Sequence, residues 1–189
     1  FATNDELFAK LKAGNSGYDV IVPTNEFVTR MRQADMLLPL DFTALPNFKN
    51  IAPEFLGDTY DPAPRHSVPY TWLVLGIGYR KSRVNGVPDS WKWLFDSDLY
   101  KGRIALGSEA SDLFRLGARY MGRSANGVDA ATIQAVEEML IRQKPNIKTF
   151  HEDNGQDLLL AGDVDLVLEP NGDIAQIEVE DDDIGFVVP

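Results

Sequence analysis

The spacing of apolar residues changes character several times along the chain. From Asn4 to Ala13, Leu7, Phe8 and Leu11 form one stripe, which predicts a helix opened by Asn4 and ended by the turn at 14–17. Tyr18 to Val22 is short and β-branched and stops at Pro23, so a strand is expected, followed by a helix from about Phe27 to Ala34. Residues 36–65 are brief apolar pieces between prolines and predict a connection with little regular structure. The most apolar stretch, Ser67 to Tyr79, predicts one or two strands buried on both faces, with Tyr70 and Trp72 in the core and Gly76 and Gly78 allowing close packing. Next come a short helix at Trp91–Phe95 capped by Ser90 or Asp89, and a strand at Ile104–Leu106. A helix from Ala110 carries Leu113, Leu116, Gly117 and Tyr120, with Ser108 or Ser111 as its cap. A longer helix runs from about Asp129 to Lys144 and is terminated by Pro145. The remainder predicts a strand at Asn146–Phe150, a polar turn at His151–Gly155, a short helix over 156–161, and a strand at Val164–Leu168. A helical stretch at Ile174–Ile177 and a last strand from Gly185 complete it. Strands alternating with helices imply an α/β fold with a largely parallel sheet.

Composition narrows the function. A net charge of -11 removes the basic face that sequence-independent nucleic-acid binding needs. With no cysteine there are no disulfides and no thiol chemistry, and the two histidines lack metal-ligand spacing. No metal or cofactor is expected. No apolar run reaches the length of a membrane span, and the first residues lack the basic flank and apolar stretch of a signal peptide.

The candidate chemistry lies at 104–120. A strand that runs into a helix sets the helix start at the carboxyl edge of a sheet, where open α/β folds bind ligands. Glu109 and Asp112 stand three apart there, on one helical face, and together suit an amine. Acidic residues in a first turn also simply complement the helix dipole. Thr24, between Pro23 and the next helix, marks a second edge of the same type, or a plain N-cap. A Glu109/Asp112 acid/base pair would make the chain an enzyme, but no nucleophile–base arrangement, metal motif or phosphate loop accompanies it.

The order of Tyr18-Asp-Val-Ile-Val-Pro-Thr24, Val68-Pro-Tyr-Thr-Trp72, Gly76-Ile-Gly-Tyr79, Ser90-Trp91 with Leu94-Phe95, Tyr100-Lys-Gly102, Asn171-Gly-Asp173 and Phe186-Val-Val-Pro189 resembles the spermidine/putrescine-binding proteins of bacterial ABC importers. The resemblance implies a two-lobe periplasmic-binding-protein fold of type II, a periplasmic location, no catalysis, a small cationic ligand held between the lobes, and a membrane permease as partner. It further implies that residues 1–75 are a partial first lobe, 76–79 a crossover hinge, 80–186 a nearly complete second lobe, and 187–189 the start of a return crossover. On that reading the chain is an internal fragment, and the edges of an incomplete first lobe predict a homodimer. Carried over by position, Thr24, Glu26, Glu109, Asp112 and Asp173 fall on ligand contacts. Pro170 replaces a stacking Trp, which removes a cation–π wall worth about 0.5–2 kcal/mol. A same-fold protein for an amino-acid derivative or opine is the alternative.

Overall fold

The computed structural model describes residues 3–14, 16–56, 59–63, 65–127 and 129–189, and the chain divides into two compact units, 1–72 and 73–189. The turn expected at 14–17 and the prolyl connection each include residues outside the described ones.

Unit 1 holds α1 (Asn4–Lys12) and α2 (Asn25–Gln33), followed by three short 3-10 turns. Leu7, Phe27 and Met31 are its buried centre, with Phe8, Leu11, Ile21, Met36 and Leu37 packed around them. Arg30 lies over the rings of Phe27 (4.4 Å) and Phe8 (4.8 Å), so its charge covers the apolar contact. Two sequence expectations are corrected here. Thr3, rather than Asn4, caps α1, accepting from the Glu6 N–H, while Asn4 Oδ1 accepts from the Thr24 N–H at 3.1 Å. Tyr18 to Val22 is not a strand; Val20 is 84% exposed. Among its described residues unit 1 has no strand, so this β-prone segment has no neighbour to pair with, and propensity alone does not hold an extended segment in a sheet.

Unit 2 is a five-stranded sheet with helices on both faces. Its strands are β1 (Leu75–Arg80), β2 (Ile104–Gly107), β3 (Ile147–His151), β4 (Leu166–Pro170) and β5 (Ile184–Val187), in the order β3-β2-β4-β1-β5. Its helices are α3 (Lys92–Phe95), α4 (Ala110–Tyr120), α5 (Ala130–Gln143), α6 (Gly155–Leu160) and α7 (Asn171–Glu178). Period two sorts the side chains. Ile104, Leu106, Leu166 and Leu168 enter one core with Leu94, Phe95, Leu113, Val136 and Met139 from α3, α4 and α5. Ala105 and Val167 point the other way, to Leu159 of α6 and Ile174 and Ile177 of α7.

The sheet is mixed rather than largely parallel. β2 pairs parallel with β3 and β4, whereas β1 is antiparallel to both β4 and β5. The apolar stretch at 67–79 yields one strand, β1, and Tyr70 (83%), Trp72 (63%) and Leu73 (55%) are exposed, against the expectation of a core. Gly76 and Gly78 do serve close packing: a Cβ at Gly78 would meet Ile174 Cδ1 at 2.5 Å, and one at Gly76 would strike the Phe186 ring. Glu109, not Ser108 or Ser111, occupies the N-cap position of α4, because the helical register opens at Ala110.

At the amino end of the parallel strands Arg103 binds the Asp165 carboxylate through Nη2 (2.7 Å) and Nε (2.9 Å). Its remaining N–H groups donate to the Gly162 and Asp163 carbonyls. Val74 and Asn171 are joined twice at the opposite edge: the Val74 N–H donates to Asn171 Oδ1, and the Asn171 N–H to the Val74 carbonyl, both at 2.9 Å.

Candidate functional site

The carboxyl ends of β2, β3 and β4 share one edge of the unit 2 sheet, and α4, α6 and α7 start there. The sequence therefore delivers three turns to one place, each with acidic residues: Glu109 and Asp112 after β2, Glu152 and Asp153 after β3, Glu169 and Asp173 at the end of β4. This is the edge at which open α/β sheets bind ligands.

Of the five residues singled out from sequence, three meet at this edge. Glu109 precedes α4 and makes no capping bond, and Asp112 sits in the first turn of α4. Asp112 also faces Arg115 Nη1 at 4.0 Å, an exposed i,i+3 ion pair that holds the carboxylate only weakly. Asp173 lies in the first turn of α7. Burial raises its pKa, and the negative charge of Asp153 raises it further. Thr24 and Glu26 belong to unit 1, where Thr24 holds the N-cap position of α2 without a side-chain capping bond and Glu26 stands in the first turn. Pro170 ends β4 and immediately precedes α7. A cavity of about 500 Å³ beside α4, lined by Ser111, Phe114, Arg115 and Ile133 among others, includes none of the five.

Behind Asp173 is a group that sequence reasoning passed over. Glu169 is only 4% exposed. Its Oε1 accepts from the Gln156 N–H at 3.0 Å, at the start of α6. Its pKa is pushed up to about 7, first by burial and then by the charge of Asp173, with Asp153 adding; the Gln156 and Gly155 N–H groups oppose this. His151, at the end of β3, is equally buried, and burial lowers its pKa while its bond to Leu168 and the charge of Asp153 raise it. Its Nε2 lies 3.2 Å from the Leu168 carbonyl oxygen, just past the point where the β2–β4 ladder ends at Ala105 and Val167. Its Nδ1 has no hydrogen-bond partner and lies 3.7 Å from Glu169 Oε1. Gly155 makes the arrangement fit, since a Cβ there would run into both the Glu169 carboxylate and the His151 ring. The signal available in sequence was a carboxylate directly continuing the apolar run Val164–Leu168.

At this edge Glu169 and Asp173 are acted on by burial and by neighbouring carboxylates. Among the described residues no cluster of side chains suits a metal ion, and no helix is long and apolar enough to cross a membrane.

The family model for bacterial extracellular solute-binding proteins matches residues 2–189. The chain belongs to that family. Its fold is that of the type II periplasmic binding proteins, and the family is one of binding proteins, not enzymes. This solute-binding protein is 33% identical over 174 residues to the spermidine/putrescine-binding periplasmic protein of Salmonella typhimurium, covering 91% of this chain and 50% of that one. Among solved structures it superposes on the spermidine/putrescine ABC transporter substrate-binding protein of Streptococcus pneumoniae with TM-score 0.77 and 30% identity, covering 100% of this chain and 58% of that one. It also superposes on a lipoprotein of Treponema pallidum with TM-score 0.88 and 25% identity, covering 100% of this chain and 60% of that one. The chain spans about half the length of the curated relatives it matches.

Proposed function

We propose that this chain is part of the periplasmic solute-binding component of a bacterial ABC importer, that it binds a polyamine such as putrescine or spermidine, and that it hands it to a membrane permease without catalysis. The observation that carries this reading is the convergence of three parallel-strand ends, each bringing carboxylates, at one edge of unit 2. A polyamine is a row of ammonium groups on a methylene chain, and it needs carboxylates at intervals. Glu109 and Asp112 take one ammonium and Asp173 another. Thr24 and Glu26, at the start of α2, are the candidate ligand groups of unit 1. The names of the relatives agree with this choice of ligand.

Calorimetry with putrescine and spermidine on the full-length protein tests it. Saturable binding is expected, weakened about 5- to 100-fold in Glu109→Gln, Asp112→Asn and Asp173→Asn, the loss typical of one charge-assisted hydrogen bond. Absence of saturable heat with both amines overturns the polyamine assignment. Binding that all three variants leave intact overturns the assignment of the site.

A further inference from the structure

Two buried, ionisable side chains stand side by side under the carboxylate edge, each tied to the backbone on one side: Glu169 Oε1 accepts from the Gln156 N–H, and His151 Nε2 faces the Leu168 carbonyl. Their protonation is constrained by geometry. A carbonyl oxygen only accepts, so the His151 nitrogen facing Leu168, Nε2, carries a proton. In the neutral ring Nδ1 is then a bare lone pair. It is buried, unpartnered, and aimed at the Glu169 carboxyl 3.7 Å away. With no further proton, a lone pair and a carboxylate face each other out of water, an arrangement that costs both groups. One proton relieves it, whether it rests on Glu169 as a carboxylic acid or on Nδ1 as an imidazolium.

The surroundings decide how firmly that proton is held. β3 brings His151, and the turn after it brings Asp153. β4 brings Glu169, α7 brings Asp173, and α6 brings exposed Asp157 with the backbone N–H groups of Gly155 and Gln156. β2 ends in Gly107, with Glu109 and Asp112 standing beyond it at α4. The carboxylates among these favour an extra positive charge, and among the described residues the groups acting on Glu169 and Asp173 include no cationic side chain.

We infer that His151 and Glu169 hold one proton between them beneath the rim formed by Asp153 and Asp173, and that a cation seated on that rim drives the proton into solvent. An arriving ammonium neutralises the charge that retains the proton, so charge enters the site as amine and leaves it as H⁺. That the cation is a polyamine rests on the function proposed above; the pair itself does not. Affinity for the amine then rises with pH through the neutral range, by up to about tenfold per pH unit for one proton released.

The pair is testable without any ligand. The chain has two histidines, His66 and His151, so ring ¹⁵N resonances are few and separable. Across pH 5 to 9, His151 Nε2 stays protonated and Nδ1 reports the shared proton. Glu169→Gln, which leaves no acid proton to share, removes that inflection. Asp173→Asn, which removes the charge an ammonium would neutralise, moves it down by about half a pH unit or more. An Nδ1 that titrates alike in the wild type and Glu169→Gln, or an inflection unmoved by Asp173→Asn, overturns the inference. The ligand arm is putrescine calorimetry at pH 7 in two buffers of different ionisation heat. The wild type is expected to release part of a proton per amine bound, and Glu169→Gln none while still binding. Binding without proton release in the wild type overturns the inference. No binding at all counts against the polyamine reading, and the histidine titration still decides the pair.

Discussion

The two ends of the same parallel strands treat charge in opposite ways. At the amino end Arg103 meets Asp165 with two short bonds and spends its other donors on two carbonyls. Each charge there has its complement, and the cluster ties the start of β2 to the approach to β4. At the carboxyl end Glu169 and Asp173 are acted on by burial and other carboxylates, and His151 keeps a nitrogen without a partner. Buried charge without a complement is unfavourable, and perturbed groups of this kind cluster at functional sites. The contrast separates a satisfied cluster from an unsatisfied one by the same test applied to both.

Breaking the satisfied end should have the largest effect on stability. Arg103→Ala leaves Asp165 buried without its partner and removes the donor to the Gly162 carbonyl, while the Asp163 carbonyl keeps Lys148 Nζ; because the arginine is one-third exposed, a loss of about 2–4 kcal/mol is expected in thermal or urea unfolding. A loss under 0.5 kcal/mol would put the amino end on the same footing as an ordinary surface pair.

Breaking the unsatisfied end should do the reverse. The pKa of Glu169 rises from 4.5 to about 7 on folding. A raised carboxyl pKa means that the folded state binds more protons, so the contribution of this group to stability is complete below 4.5 and is lost as pH rises through about 7. Glu169→Gln therefore leaves stability near that of the wild type at pH 4.5 and raises it by about 1–3 kcal/mol at pH 8. The same shift at both pH values would show that the carboxyl does not titrate in this window.

The carboxylates at the rim sharpen the contrast further. Asp112→Asn and Glu109→Gln should each change folding stability by under about 0.5 kcal/mol, since Asp112 is engaged by an exposed ion pair and Glu109 makes no capping bond. The expected cost appears in amine affinity instead. The smallest effect should come from Tyr70→Ser: with the ring 83% exposed, unfolding should shift within about 0.5 kcal/mol.

What could be read from sequence follows from which interactions are local. β2, β4, α4 and α5 were legible because their apolar residues keep a clean period, and the edge at Glu109 and Asp112 followed from strand running into helix. The direction of β1 was not legible, because reversal of one strand is decided by connection, not by composition. Tyr18–Val22 and Ser67–Val74 have the composition of strands, yet a strand exists only where a neighbour offers a ladder. Glu169 was missed for a related reason. Its burial is created by Gly155, fourteen residues earlier, which opens room for the carboxyl against His151. No window of sequence around Glu169 contains that fact.

Val74 offers a last consequence. Its amide proton is held by the side chain of Asn171, the first residue of α7 and two residues from Asp173. Hydrogen–deuterium exchange at that single amide therefore clocks how often the turn carrying Asp173 comes undone. Slower exchange on adding an amine would register occupancy from the protein's own backbone, with no label on the ligand and no substitution in the chain.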